Sequence, residues 1–239
     1  MTPPALSVIV PTYNERDSLP ILIERLAKVA TEVVLEVVIV DDGSPDGTGA
    51  LAEELARTAP MPIRVVHRPG KAGLASAVMD GVAVSRGATV TVMDADLSHP
   101  PELLPDLVAA VTDGADVAVA SRYAPGGGIE AWPLLRRIVS RGATGLVRVG
   151  LGLSVRDPLS GFFAVRRALF TGSAYRRLGY KLLMEILATH GQARVVEIPY
   201  RFVNRGLGKS KLSPGEIVDF LRLLVHLRWG RGPWSSARS

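Results

Sequence analysis

Val90-Thr91-Val92-Met93-Asp94-Ala95-Asp96-Leu97-Ser98-His99-Pro100-Pro101 joins a run of β-branched and apolar residues to two acids one residue apart. Val90 to Met93 has the make-up of a buried strand, which places Asp94 and Asp96 just past its carboxyl end. In open α/β sheets that edge carries ligand sites, because the loops there diverge around a crevice. Residues i and i+2 of an extended segment point the same way, so both carboxylates can face one cation. A hard divalent ion held by one or two carboxylates completes its shell with water and substrate phosphates. The stretch therefore points to a nucleotide-diphosphate site; the competing reading is a turn that caps the following helix.

Strands and helices alternate on the amino-terminal side of this stretch. Ser7-Val8-Ile9-Val10 predicts a short strand ended by Pro11, whose nitrogen cannot donate to a ladder. The loop Thr12-Tyr13-Asn14-Glu15 follows, with Asp17 or Ser18 capping a helix through Leu22, Leu26 and Val29. Val33 to Val40 predicts a second strand, aliphatic and β-branched apart from Glu36, that runs into the acidic turn Asp41-Asp42-Gly43-Ser44-Pro45-Asp46-Gly47. Ile63 to His67 predicts a third strand, and Lys71-Ala72-Gly73 introduces a small-residue helix up to Arg86. Such alternation predicts an α/β fold, a mostly parallel sheet covered by helices on both faces. Three acidic loops, at Asn14-Glu15, Asp41-Asp42 and Asp94 to Asp96, would then converge on one edge. Neither a Gly-x-Gly-x-x-Gly after the first strand nor a Gly-Lys-Ser/Thr loop is present, so a cation and side chains must neutralise the phosphates.

The 239 residues suffice for one large domain or two small ones, and 47% hydrophobic content reads as globular. A formal net charge of +5 favours an anionic partner, and the absence of cysteine excludes disulfides and thiolate metal sites. Met1 to Leu6 lacks a basic n-region and the apolar run Val8 to Val10 stops at Pro11, so no secretory signal is expected. No run approaches the roughly 18 apolar residues of a transmembrane helix.

Val10-Pro11-Thr12-Tyr13-Asn14-Glu15, Val40-Asp41-Asp42-Gly43-Ser44, Lys71-Ala72-Gly73-Leu74 and Met93-Asp94-Ala95-Asp96 together resemble the family 2 glycosyltransferases of the GT-A fold. Four blocks of the second half narrow the likeness. Ser121-Arg122-Tyr123, Asp157-Pro158-Leu159-Ser160-Gly161-Phe162-Phe163, Lys181-Leu182-Leu183-Met184-Glu185 and Arg205-Gly206-Leu207-Gly208-Lys209-Ser210-Lys211 resemble dolichol-phosphate and polyprenol-phosphate mannose synthases. The likeness runs from about Leu6 to Lys211. The early motifs are shared by many sugar transferases; the last blocks are the specific ones.

The resemblance implies roles. Pro11, Tyr13, Glu15, Val40 and Asp42 would hold base and ribose, and Asp94 and Asp96 would bind Mg²⁺ or Mn²⁺ across the diphosphate beside the Ala95 backbone. Ser98 stands where relatives often carry glutamine; its shorter hydroxyl would ligate through a bridging water. Lys71, Lys181, Arg122, Arg205 and Lys211 would handle the diphosphate, the last two flanking a glycine-rich loop suited to closure. Arg122, Arg136, Arg137 and Ser160 would receive the lipid phosphate. Asp96, Arg122, Arg205 and Lys211 form the expected catalytic set.

A polyprenyl monophosphate brings its own anionic oxygen nucleophile, so no strong general base is needed. His67, His99, His190 and His226 form no triad or metal pattern. The expected reaction is an inverting displacement that carries mannose from GDP-mannose to dolichyl or polyprenyl phosphate. Catalysis would then rest on positioning and on charge stabilisation of the leaving diphosphate.

Trp132 to Gly150 mixes apolar residues with Arg136, Arg137, Arg141 and Arg148. Arg137, Arg141 and Arg148 share a face at helical spacing, as expected of a helix lying on an anionic membrane surface. Gly142 and Gly145 lower its helix propensity. Gly215 to Trp229 is apolar but for Asp219, Arg222 and His226, and fifteen helical residues rise only about 22 Å, too short to cross a bilayer; core packing or a dimer face suits it equally.

The expected organisation is a transferase domain over 1–212 that includes an amphipathic segment at 130–150, a carboxyl-terminal amphipathic helix over 213–231 and a disordered tail over 232–239. The protein is expected at the cytoplasmic face of a membrane, peripherally bound, with room for a membrane-anchoring partner protein. Rival readings are a polyprenyl-phosphate glucose synthase using a UDP-sugar and an inactive nucleotide-sugar-binding partner subunit. A nucleic-acid-binding domain is disfavoured by the lack of a reader motif and of aromatic platforms.

Overall fold

The computed structural model describes residues 4–130, 132–170, 175, 181–203 and 214–229. Apolar runs buried on both faces make the strands β1 (Leu6–Thr12), β2 (Leu35–Asp41), β4 (Thr89–Val92) and β5 (Val117–Ser121), while β3 (Ile63–His67) is half-buried. The helices α1 (Leu19–Val29), α2 (Thr48–Thr58), α3 (Leu74–Val84) and α4 (Leu104–Thr112) alternate with them. The second half adds β6 (Gly128–Glu130), α5 (Leu134–Leu151), β7 (Phe163–Arg166) and α6 (Leu182–Thr189). It closes with β8 (Val195–Pro199), β9 (Arg201–Val203) and α7 (Pro214–Trp229).

Among the described residues the main sheet runs β3-β2-β1-β4-β7-β5-β8, and β6 pairs with β9 in a second, two-stranded sheet. Every pairing in the main sheet is parallel except those of β7, which lies antiparallel between β4 and β5. The carboxyl ends of β1 to β5 and the amino end of β7 therefore share one edge. One face of the sheet packs Leu22, Leu26, Leu104, Leu107 and Phe162; the other packs Val78, Val119, Leu183 and Ile186. The mostly parallel, helix-covered sheet expected from the sequence is the one observed.

Three local readings differ from the structure. β1 does not stop at Pro11 but continues to Thr12. Ile9 O accepts from Met93 N, so Pro11 two residues on points the same way, past the last β4 pair at Val92, and its missing N–H forfeits no ladder bond. Ser18 occupies the N-cap position of α1, yet its hydroxyl turns to Glu15 O and Oε2 instead of capping the helix. β7 was not anticipated as a strand.

Glu36, the lone acid in β2, is 5% exposed and accepts from Ser7 Oγ at 2.6 Å and from the Arg86 amide at 2.5 Å. Ser7 Oγ in turn accepts from Gly87 N at 2.7 Å. The carboxylate thus ties β2, β1 and the turn before β4 together. Glu36→Ala leaves a buried donor unpaired and is expected to lower the unfolding free energy by about 2–3 kcal/mol in urea denaturation. A change below about 0.5 kcal/mol would show that water replaces the carboxylate freely.

Candidate active site

The chain leaves β4 into the acid pair. Asp94 is anchored through its backbone, its amide donating to His99 Nδ1 at 3.1 Å. His99 is 2% exposed and stacks on Phe162 with ring centroids 5.0 Å apart. Burial pulls the His99 pKa down, so the ring is neutral; with Nδ1 accepting, its proton sits on Nε2, 3.8 Å from Asp94 Oδ2. The Asp94 side chain remains 43% exposed, and desolvation by the surrounding walls, with Asp96 beside it, pushes its pKa up. Asp96 Oδ1 accepts from Ser98 N at 2.9 Å, across Leu97, a non-glycine residue with φ of 65°. That left-handed residue turns the chain sharply at the acids, where such strain collects in functional sites. Ser98 is itself buried, and Ala95 is buried between the acids.

The loops after β1 and β2 meet this pair. Glu15 is raised above its ordinary pKa by burial and further by Asp96, Asp94 and Asp46, so the three acidic loops do face one another. Its backbone amide is held by Thr48 Oγ1 at 3.0 Å, while Asn14, at φ 60°, donates its amide to Ser44 Oγ. Val40 is fully buried and Pro11 lies opposite it in the β1–β2 register, so Val40 offers a ligand only its backbone. Asp42 pairs with Arg68, which also reaches Asp80 at 3.1 Å and Ser76 Oγ at 2.8 Å. Lys71 lies over the Tyr13 ring, 3.4 Å from its centroid, forming a flat wall beside Glu15. Lys181, at the start of α6, lies near enough to Asp94 for its charge to act on that carboxylate.

On the other side of the edge, β5 delivers Arg122. Its amide and Nε donate to Asp157 Oδ2 at 3.0 and 2.8 Å, and Nη2 donates to Oδ1 at 2.8 Å. Asp157 is fully buried. Burial alone would lower the Arg122 pKa, but the bonds and charge of Asp157 outweigh it and hold the guanidinium firmly protonated. The fork does not use Nη1, for which no hydrogen bond is found among the described residues, and Tyr123 and Trp132 flank the cation at 5.5 and 5.8 Å.

Arg136 stacks on Trp132 at 4.0 Å, and its pKa is lowered by burial and by Arg122 nearby, so two like charges are held side by side. Arg137 Nη2 donates to Ile129 O at 2.8 Å, while Arg137 Nε and Trp132 Nε1 are buried donors with no partner among the described residues. Buried donors of this kind beside crowded cations suit an anionic ligand.

Two expectations need correction. Ser160 does not face the cleft: it is 4% exposed and its hydroxyl donates to Ala120 O at 2.7 Å and accepts from Phe162 N, stitching the loop to β5. It has no proton left for a lipid phosphate. Of the arginines expected to share one face of α5, Arg137 turns inward to Ile129 O, while Arg141 and Arg148 stay exposed on it. Beside them runs an exposed apolar row that includes Leu134, Leu135, Ile138, Val139, Leu146 and Val149. Arg205, Lys211 and the tail over 232–239 lie outside the described residues. Sequence reading passed over His99, Arg68, Asp157 as the partner of Arg122, and Trp132; only the block around Asp157 carried a signal.

A mostly parallel sheet whose carboxyl edge gathers an acid pair, an aromatic wall and a cluster of cations is the GT-A architecture of nucleotide-sugar transferases. Residues 7–172 match glycosyl transferase family 2, and the chain belongs to that family. It is 42% identical over 227 residues to a dolichol-phosphate mannosyltransferase of Pyrococcus furiosus, matching 94% of this chain and 64% of that protein. It is likewise 42% identical over 240 residues to a polyprenol monophosphomannose synthase of Mycolicibacterium smegmatis, with 97% and 89% coverage. This chain thus spans about two thirds of the first relative and most of the second. The fold also matches a glucosyl-3-phosphoglycerate synthase of Mycobacterium tuberculosis, solved with Mn²⁺, UDP-glucose and phosphoglyceric acid, at TM-score 0.69 and 21% identity over 95% of this chain and 79% of that one.

Asp157→Ala strands the Arg122 guanidinium in a buried site and is expected to cost about 3–5 kcal/mol of stability. In a urea-based double-mutant cycle, Arg122→Ala combined with Asp157→Ala is expected to cost less than the sum of the two. Strict additivity would show that the fork carries no coupling.

Proposed function

We propose that the protein transfers mannose from GDP-mannose to a dolichyl or polyprenyl monophosphate, releasing GDP and polyprenyl phosphate mannose. The observation that carries this reading is the pairing of an acid cluster with an anion-starved cationic cleft on one sheet edge. The first suits a metal-bound diphosphate and the second a phosphate acceptor. The names of the two relatives, each 42% identical, support mannosyl transfer to a dolichyl or polyprenyl phosphate.

In this reading Tyr13, Glu15 and Asp42, with the backbones of Pro11, Val40 and Ala95, receive the nucleoside. Asp94 and Asp96 hold Mg²⁺ or Mn²⁺, with Ser98 joining through water. The donor chemistry fits: a hard ion held by the two carboxylates would take its other ligands from diphosphate and water. When bound, the ion offsets the charge that develops on the leaving diphosphate. Lys71, Lys181, Arg205 and Lys211 add cations along that leaving group. Arg122 Nη1, Arg136, and the unpaired donors of Arg137 and Trp132 orient the acceptor phosphate. One of its oxygens attacks the anomeric carbon as the bond to the diphosphate oxygen breaks, which inverts the configuration. No general base is required, and His99 is spent on holding Asp94.

The acceptor is a lipid, and the apolar rows support its delivery from a membrane. α7 packs Leu224 against Val147 of α5 and Met184 of α6, and like α5 it exposes apolar residues, Val218, Leu221, Val225 and Trp229. No described helix is long and apolar enough to cross a membrane. We place the protein on the cytoplasmic face, bound peripherally, with any anchoring partner protein meeting the same rows.

Labelled sugar transfer tests the reading. GDP-mannose with polyprenyl phosphate and Mg²⁺ is expected to give product at least tenfold faster than UDP-glucose, with none from unphosphorylated polyprenol. Faster transfer from UDP-glucose would make the protein a glucose synthase. Transfer from neither donor would leave a nucleotide-sugar-binding subunit, and transfer to the free alcohol would overturn the acceptor-phosphate mechanism.

A further inference from the structure

Beyond the acceptor site, α5 carries a second set of cations. Arg141, Thr144, Gly145 and Arg148 fall on one side of the helix by their three-, four- and seven-residue spacing. With Tyr123 and Arg156 they line a cleft of about 420 Å³. Three observations indicate that this cleft is built for a ligand.

The first is charge. Arg25, Arg68, Arg122, Arg166, Arg201 and Arg222 each pair with an acid, whereas the guanidinium groups of Arg141, Arg148 and Arg156 have no carboxylate partner among the described residues; Glu197 takes the Arg156 backbone amide, and no acid lines the cleft. The second is Thr144, 6% exposed, whose Oγ1 is a buried polar atom with no hydrogen-bond partner among the described residues. The third is Gly145. A mid-helix glycine costs roughly 0.5–1 kcal/mol against alanine, and here no close neighbour requires it, because an added Cβ would meet nothing within 4 Å. Its missing side chain keeps the floor of the cleft clear.

Three guanidinium groups around a hydroxyl match the oxygens of a phosphate, to which arginine bonds through its planar fork. The position of the cleft selects the source. At about 100° per residue, Arg141, Gly145 and Arg148 border the exposed row of Leu134, Ile138 and Val149, so a bilayer meeting that row puts its headgroups level with the cleft. Tyr123 separates the two sites: its ring lies by Arg122, and its hydroxyl is bonded to Ser140 Oγ at 2.8 Å.

We propose that Arg141, Thr144, Arg148 and Arg156 form a second phosphate site, distinct from the acceptor site, that takes the headgroup of an anionic bilayer phospholipid. This rests on the membrane-bound reading of α5. The site orients the enzyme on the surface by a specific lipid contact in addition to diffuse attraction.

Vesicle sedimentation with phosphatidylcholine, with and without phosphatidylglycerol, tests it. The variants are Arg148→Gln with Arg156→Gln, Thr144→Val, and Gly145→Leu, which fills the cleft without changing charge and favours the helix. A charge control combines Arg57→Gln on α2 with Arg86→Gln after α3. The arginine pair is expected to lose on the order of twenty-fold of the preference for phosphatidylglycerol. Gly145→Leu is expected to lose about as much and Thr144→Val several-fold, while the control stays near wild type. Transfer to a detergent-dispersed polyprenyl phosphate should be unchanged in all of them.

A wild-type preference in Gly145→Leu, or an equal loss in the charge control, would reduce the cleft to unspecific charge and overturn the proposal. Displacement from phosphatidylglycerol vesicles by millimolar inorganic phosphate at constant ionic strength would make the ligand free phosphate and overturn the lipid source. Lost transfer in detergent would assign the cleft to the acceptor. Wild-type protein that binds neither vesicle would sink the membrane reading itself, whereas wild-type binding with indifferent variants would sink only this site.

Discussion

The fork between Arg122 and the fully buried Asp157 fixes the geometry on which the site depends. Asp157 lies in the loop that leads into β7, and Arg122 follows the last residue of β5, so the pair locks the antiparallel strand into the gap between β4 and β5. The amides of Arg156 and Asp157 are held in turn by Glu197 of β8 at 2.9 and 3.1 Å. Once β7 is seated, Phe162 stacks on His99 and Gly161 fits against it, where an added Cβ would come within 3.4 Å of the His99 ring. The imidazole then holds the amide of Asp94. A charge pair beneath the cationic cleft therefore also positions the acid pair, and neither partner can leave without stranding a buried charge.

The first half of the fold was legible because buried parallel strands read as continuous apolar runs, each stopping at an acidic or turn-rich loop. β1, β2, β3 and β4 came from that pattern, and with them the convergence of Glu15, Asp42, Asp94 and Asp96 on one edge. β7 was hidden. It is four residues long, and its partners lie about 45 and 70 positions away with no hairpin turn to announce them. Ser160 shows the limit of a motif: a loop hydroxyl has the same letter whether it faces a ligand or, as here, the Ala120 carbonyl. His99 was passed over because a lone histidine carries no spacing signal; its place follows from the stack with Phe162, 63 residues on. Helical spacing puts Arg137, Arg141 and Arg148 on one face of α5, and Arg141 and Arg148 stay exposed there, but spacing does not show that Arg137 bends to Ile129 O of β6.

Charge is segregated across the edge. Acids gather at the ends of β1, β2 and β4, and raise one another's pKa values where burial also acts, as at Glu15 and Asp94. Cations gather at the end of β5 and along α5, where Arg122 depresses Arg136. In the proposed reading, ligands of opposite sign would relieve both crowdings, a divalent ion on one side and phosphates on the other. Between them a diphosphate leaving group and a phosphate nucleophile can approach one carbon without either being neutralised by protonation.

The dependence of metal binding on nucleotide tests this account most directly, read by electron paramagnetic resonance as Mn²⁺ is titrated into the protein with and without GDP. Two carboxylates alone should hold the ion weakly, and GDP should tighten binding at least tenfold, a gain that Asp96→Asn abolishes while the circular dichroism spectrum stays unchanged. Tight binding without GDP, or an undiminished GDP effect in Asp96→Asn, would contradict the assignment of the acid pair to a shared metal–diphosphate site.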